Sequence, residues 1–225
     1  MNLVHVGVRP QQVADELVQR LAALPTAVVS DQMGRKGGTS RLRPLPGMGL
    51  DFHIAGRALT VATRCGDNLA LQRAIDLAMP GDVLIVATDG DTGRAVMGEI
   101  VYRYAIWKGI VGFVIDGCVR DAVPLGRGVA PILCRGITPL GPYRNGPGSV
   151  HGTVTIDGLI VEPGSVVVMD YDGVAVVPAN LAASVAAAGE EALAAETNTL
   201  EMADSGTLDR RWVEIAASSP SAGFR

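Results

Sequence analysis

Two short runs limit the fold of this chain more than any other feature. Residues 83–87 read VLIVA and residues 111–116 read VGFVID. Neither alternates between apolar and polar residues, so neither suits a strand with one wet face. All-apolar runs of this length are the pattern of strands covered on both faces. Pro80-Gly81 leads into the first run. The stretch between the two, from about Arg94 to Lys108, reads as a helix that Gly109 ends. APILCRG at 130–136 is expected to be a third strand, after a short helix or turn at 121–128. Strand, helix, strand, short helix, strand is an α/β order with at least some parallel pairing.

The flanks add further layers. Residues 11–23 set Val13, Leu17, Leu21 and Leu24 on one helical face, and Thr26 reads as the N-cap of a short helix to about Met33. IAGRALTVAT at 54–63 alternates like a strand, and Asp67 is placed to cap a helix running to Met79. After Pro139 the chain changes character. TVTIDG, LIVEPG, SVVVMDYDG and VAVVP are short strands cut by glycine, which suggests hairpins or a β layer. PGDVLIVATDG (80–90) and PGSVVVMDYDG (163–173) echo each other, two copies only, so no solenoid follows. From Asn180 the alanine- and glutamate-rich chain reads as helix. The expected organisation is an α/β core over 1–180 and a helical tail over 181–225.

Composition excludes several classes. The 225 residues fit one domain or at most two small ones, and 48% hydrophobic against 19% charged residues supports a large core. Net charge is −4 with both signs mixed, unlike a nucleic-acid stripe or a polybasic membrane anchor. No apolar run approaches the roughly 20 residues of a membrane helix. Cys65, Cys118 and Cys134 form no CxxC pair, which points to a reducing compartment. The reading is a soluble, cytoplasmic protein with neither nucleic-acid nor membrane partner.

Chemistry concentrates in GFVIDGCVRD, residues 112–121. Ligands of α/β sheets bind beyond the carboxyl ends of the strands. With Asp116-Gly117 turning the chain, Arg120 and Asp121 fall on that edge. Arginine offers a planar fork that matches a carboxylate, and aspartate is a hard oxygen ligand for Mg²⁺ or Mn²⁺. A surface ion pair or a helix-capping aspartate would also explain the two. MGEIV (97–101) is expected on the same edge. Gly98 inside a helix costs about 1 kcal/mol relative to alanine. It is either a packing glycine or a mark of exposed N–H groups near Gly98 and Glu99 that bind an anion. His5, His53 and His151 are isolated, with His151 in NGPGSVHG the one nearest a glycine-rich turn. DGDTG lacks the frame of a nucleotide loop, and no GxSxG elbow exists. Arg35, Lys36, Arg41 and Arg43 suit a solvated loop or a site entrance. Lys36 and Lys108, the two lysines, lie outside the constellation, so no Schiff-base lysine is placed there.

These segments, with NGPGSVHGTVTIDGLIVEPGSVVVMDYDGVAVVP, resemble the class II pyruvate aldolases. These are the 4-hydroxy-4-methyl-2-oxoglutarate / 4-carboxy-4-hydroxy-2-oxoadipate aldolases, related to the regulator of ribonuclease activity A. The resemblance covers roughly residues 20–180. It implies a single-domain α/β/β/α sandwich with mixed central sheets and a trimer or hexamer with sites between subunits. It implies a divalent metal, Mg²⁺ or Mn²⁺, on Asp121. It implies a small 2-oxo acid substrate held by Arg120 and by the backbone of Gly98, Glu99, Ile100 and Val101. Glu99 would orient metal-bound water. Glu196, or else Glu201, would come from a tail packed on the neighbouring subunit. The implied activity is cleavage of 4-hydroxy-2-oxo acids to pyruvate through an enolate, with oxaloacetate decarboxylation as a side activity. Two departures stand out: Ala87-Thr88 replaces a common Val-Asp, and Glu99 a common Asp. The alternative is a non-catalytic, regulator-like protein that binds a ribonuclease.

Overall fold

The computed structural model describes residues 3–218. The chain forms two compact units, residues 1–189 and 190–225. The strands of the first unit are β1 (Val4–Val6), β2 (Arg43–Pro44), β3 (Ile54–Thr63), β4 (Asp82–Ala87), β5 (Ala95–Met97), β6 (Gly112–Val119), β7 (Ile132–Ile137) and β8 (Gly148–Val150). Then follow β9 (Val154–Ile156), β10 (Leu159–Val161), β11 (Val166–Asp170) and β12 (Gly173–Val177). Its helices are α1 (Asp15–Ala22), α2 (Thr26–Gln32), α3 (Leu69–Asp76), α4 (Glu99–Trp107) and α5 (Ala122–Gly126). A long helix, α6 (Ala182–Asp204), starts in the first unit and ends in the second, and α7 (Arg211–Ser218) lies in the second.

The main sheet runs in the order β1-β8-β3-β4-β6-β7-β2. Its centre is parallel: Val83 pairs with Ala58 of β3 and Gly112 of β6, and Phe113 with Ile132 of β7. The all-apolar runs explain themselves in this setting. Leu84, Val86, Phe113 and Ile115 reach one core, with Leu71 and Ile75 of α3, Tyr102 and Ala105 of α4, and Leu125 of α5. Their neighbours Val83, Ile85 and Val114 reach a second core with Val154, Ile156, Val167, Met169 and Val174. Each fully buried leucine or isoleucine contributes roughly 1.5–3 kcal/mol, so the middle of a strand that serves two cores is apolar at successive positions, and the buried carboxylates Asp82 and Asp116 stand at the start of β4 and at the bulge of β6. The hairpin strands β11 and β12 bury Val166, Val168, Ala175 and Val177 on their other face, where α1 and α2 pack. The result is the mixed α/β fold that the sequence leads one to expect, with helix, sheet, β layer and helix in succession.

Three local expectations are corrected. Residues 95–97 form a strand, β5, beside the end of β6, so the helix starts only at Glu99. Asp116-Gly117 does not turn the chain. Strand β6 runs on to Val119, and its register against β7 slips between Ile115 and Cys118. The slip is a bulge that Asp116 holds: its carboxylate is buried and accepts from Arg135 Nε at 2.6 Å. Thr26 is the first residue of α2 rather than its cap. Its backbone N–H and hydroxyl both donate to Asp170 of β11, at 2.8 and 2.6 Å.

In the second unit, the residues of α6 past Ala194 and all of α7 are almost wholly exposed, Glu196 and Glu201 included. The tail's last residues, 219–225, lie outside the described residues. Among the described residues no helix is long and apolar enough to cross a membrane.

Candidate active site

The site is built where β5 and β6 end side by side. Met97 pairs with Val119, and the Arg120 N–H donates to the Met97 carbonyl at 2.9 Å. The next residue on one chain is Gly98 and on the other Asp121. Helix α4 begins at this point, and the N–H groups of a first turn have no partner within their own helix. Asp121 supplies one: its Oδ2 accepts the Glu99 N–H at 3.0 Å.

Gly98 is extended, with φ −139° and ψ −171°, a conformation open to any residue. Space is what demands the glycine. A Cβ there would lie 2.5 Å from Asp121 Oδ2 and 3.0 Å from both Cγ and Nε of Arg120. Asp121 has φ 57° and ψ 44°, the left-handed region that aspartate tolerates better than most residues. Arg120 Nε stands 3.7 Å from Asp121 Oδ2 with both side chains about two-fifths exposed. An ion pair that loose and wet is worth about 1 kcal/mol or less, so it gives little reason by itself to place the two charges together.

A cleft of about 180 Å³ opens over this junction, lined by Gly98, Ile100, Val101, Arg120 and Asp121. Five of the residues expected at the site thus share one cavity wall. Glu99 joins them by its backbone only. Its carboxylate turns to Arg103, accepting from Nε at 2.8 Å and pairing with Nη2 at 2.7 Å, and it borders a separate groove with Trp107 and Arg127. Glu196 belongs to the second unit. Lys36 and Lys108 are not among the lining residues.

The sequence reading missed the rest of the lining: Asn68 and Gln72 of the α3 segment, Val96 and Met97 of β5, Tyr104 of α4, and Pro142 and Arg144 from the loop after β7. Asp67 ties the α3 segment to that loop. Its buried carboxylate accepts the N–H groups of Leu69, Asn145 and Gly146 at 2.9, 2.6 and 3.0 Å. Burial raises its pKa, but those N–H groups and the Arg64 guanidinium outweigh burial and hold it below the ordinary 3.8. Arg94 fastens the same loop, donating to the Gly141 carbonyl at 2.7 Å and lying over the Tyr143 ring. Asp67 does accept the first N–H of α3, as the sequence suggests, but Asn68 holds the N-cap position and the helix ends at Asp76, short of Met79; its grip on a loop 78 residues away was not legible.

The other candidates fall elsewhere. His53 Nε2 meets the Leu24 carbonyl at 2.9 Å, and His151 is buried, with burial and nearby Arg9 lowering its pKa. Arg41 of the basic loop is tied to Asp157 at 2.6 Å. Cys118 and Cys134 are buried free thiols, and burial pushes Cys134 up to about 11.

A metal can be tested against this geometry. Among the described residues no three His, Cys, Asp or Glu side chains gather to hold one. Asp121 does present a half-exposed carboxylate beside space that a Cβ would have filled. One carboxylate plus waters and substrate oxygens is the usual protein share of Mg²⁺ ligation. The donor set therefore fits a weakly held Mg²⁺ or Mn²⁺ and does not fit a closed cage.

The family model RraA-like, Aldolase/RraA, matches residues 26–176, a span that contains all of this wall. The chain belongs to that family. A protein of Halalkalibacterium halodurans named "Putative 4-hydroxy-4-methyl-2-oxoglutarate aldolase" is 35% identical over 164 residues, 72% of this chain and 77% of that relative. Among solved structures, an uncharacterized protein from Pseudomonas syringae pv. tomato superposes with TM-score 0.77 at 27% identity, covering 89% of this chain and 93% of its own. Streptomyces coelicolor RraAS2, described as an unusual member of the RNase ES inhibitor RraA protein family, gives TM-score 0.76 at 27% identity, over 84% and 99%. The relatives thus span both readings of the sequence.

Proposed function

We propose that this RraA-like chain is a divalent-metal-dependent carbon–carbon lyase that cleaves 4-hydroxy-2-oxo acids to pyruvate and decarboxylates oxaloacetate as a side activity. One observation carries the reading: a guanidinium, a carboxylate and the first turn of a helix converge on one cleft, at a junction that only glycine leaves open. The aldolase name of the 35%-identical relative supports the same class.

Asp121 would hold the metal, which supplies a Lewis acid for the 2-oxo group when bound. Arg120 grips the 2-oxo acid and faces the charge that develops on its keto oxygen. The N–H groups of Ile100 and Val101, at the positive end of α4, face the carboxylate. In the cleavage the proton leaves the 4-hydroxyl and C4–O becomes a carbonyl. The C3–C4 bond breaks, and its electron pair passes to the pyruvate enolate, which is then protonated at C3. Oxaloacetate releases CO₂ from C4 and leaves the same enolate. The hydroxyl proton passes through a water to a carboxylate, which can return it to C3 of the enolate. We assign that carboxylate to Glu99, which must leave Arg103, or to Glu196 from the tail of a neighbouring subunit in a homotrimer or hexamer. Exposed Leu200, Trp212 and Ile215 in the second unit suit such packing.

The test is pyruvate release from oxaloacetate and from 4-hydroxy-2-oxo acids, with Mg²⁺ and with EDTA. Metal-dependent release is expected. Full activity after exhaustive chelation removes the metal from the proposal. No pyruvate from any 2-oxo acid favours the regulator-like reading, for which the engagement of Glu99 by Arg103 already speaks.

A further inference from the structure

We propose that Asn145 is a latent deamidation site in the loop that lines the cleft, and that the Asp67 carboxylate keeps it masked. Asn145-Gly146 is the one Asn-Gly pair in the chain. Such a pair is where an unfolded chain deamidates most readily, because glycine sets no side chain in the way of its own nitrogen. The Gly146 nitrogen gives up its proton and bonds to Asn145 Cγ, and the side-chain amide leaves as ammonia. Water then opens the resulting succinimide at either carbonyl, to aspartate or to isoaspartate. Asn145 is exposed, so water reaches its side chain.

The attacking nitrogen is not free to start. Gly146 is buried, and its N–H donates to Asp67 Oδ2 at 3.0 Å. The Asn145 N–H reaches the same oxygen at 2.6 Å. Asp67 is fully buried, and these N–H groups with the Arg64 guanidinium keep it ionised. Two effects then oppose the first step. The proton that must leave is held in a charge-assisted bond. A fixed negative charge beside the nitrogen also disfavours the amide anion that would form there. Attack waits until the loop comes off Asp67, a local opening of the kind that also governs amide exchange. Closing the loop again does not undo the product. In isoaspartate the chain from residue 145 to Gly146 runs through Cβ and Cγ, one atom longer, and the two N–H groups no longer match one oxygen. The same loop carries Pro142 and Arg144 of the cleft lining, so that part of the site is released. The masking stands by itself, and only its effect on turnover rests on the lyase reading above.

The experiment ages the full chain in mildly alkaline buffer, folded and in urea, and follows the peptide of Asn145 by mass spectrometry. Folded wild type should deamidate there at least about 100-fold more slowly than the unfolded chain, because two bonds to a charged group must open first. Asp67→Asn, checked for folding by circular dichroism, should lose at least about 10-fold of that protection. Hydrogen exchange needs no variant: in wild type the Gly146 amide should be protected by about the same factor as Asn145. Chains converted at residue 145 should release less pyruvate than Asn145→Gln carried through the same treatment. Deamidation of folded wild type within about tenfold of the rate in urea would overturn the masking, and so would a Gly146 amide that exchanges as in the unfolded chain. A folded Asp67→Asn as protected as wild type would overturn the part given to the carboxylate. If wild type releases no pyruvate, the lyase reading fails, and the masses and the exchange still decide the masking.

Discussion

Gly98→Ala is the most economical perturbation of the site, because one methyl group meets both charged residues and little else. The added Cβ would sit 2.5 Å from Asp121 Oδ2, and ordinary contact begins near 3.4 Å. The carboxylate must retreat by roughly 1 Å and give up the Glu99 N–H, while Arg120 shifts by less. A displacement of that size at a reacting centre costs on the order of 10²-fold in rate. The backbone itself has no objection, since φ −139° suits alanine. Replacing glycine at a compatible position stabilises by about 0.4–1 kcal/mol through the unfolded chain, and losing the cap on α4 opposes it with about 1 kcal/mol. Stability should therefore barely change while pyruvate release collapses. The assay pairs thermal melting with turnover of oxaloacetate and a 4-hydroxy-2-oxo acid in Mg²⁺. A variant that melts like wild type and keeps turnover within about threefold would refute the claim that Arg120 and Asp121 act from these positions.

Three further outcomes follow from the geometry. Arg120→Lys should keep metal affinity, measured by calorimetry with Mn²⁺, yet lose about 10²–10³ in turnover, because an ammonium cannot copy the planar fork; Asp121→Asn should lose both together. Asp67 is held below 3.8 when folded, so its contribution is full above the unfolded value and fades as pH falls through the folded one. Asp67→Asn should accordingly lower the urea midpoint at about pH 6, and its deficit against wild type should shrink by about pH 2; a deficit that stays constant with pH would show that the carboxylate's charge is not what holds the loop. The Tyr102 hydroxyl donates to the Ala130 carbonyl at 3.1 Å and accepts its N–H at 2.8 Å, both buried. Tyr102→Phe should then cost about 1–3 kcal/mol in denaturant titration, with kcat unchanged.

The main layers were legible because they rest on local periodicity. VLIVA and VGFVID had to be buried on both faces, and the glycine-cut strands after Pro139 had to form hairpins or a β layer. The site was legible only in part. Residues 95–97 look helical in isolation, yet they extend because β6 offers them an edge, and strand propensity depends on such neighbours. Asp116-Gly117 looks like a turn, but the buried Arg135 pair and the Thr88 hydroxyl on the Asp116 carbonyl keep the strand going through a bulge. Helices α2 and α4 take their caps from Asp170 and Asp121, which stand 144 and 22 residues away in sequence. Capping rules that search the preceding residue cannot find them. The wall of Asn68 and Arg144 was hidden for the same reason: Asp67 assembles it across the chain.

The bond from the Glu99 N–H to Asp121 has a bearing on how such chains diverge. An aspartate that closes a helix end is useful to a protein whether or not a metal ever visits it. A descendant that abandoned catalysis for a binding task would still be selected to keep this carboxylate. The Arg-Asp pair is then poor testimony to enzymatic activity, in this chain or in its relatives. Gly98 shares that ambiguity: a Cβ there would lie 2.5 Å from Asp121 Oδ2 and push it off the Glu99 N–H, so a lineage that kept only the cap would keep the glycine with it.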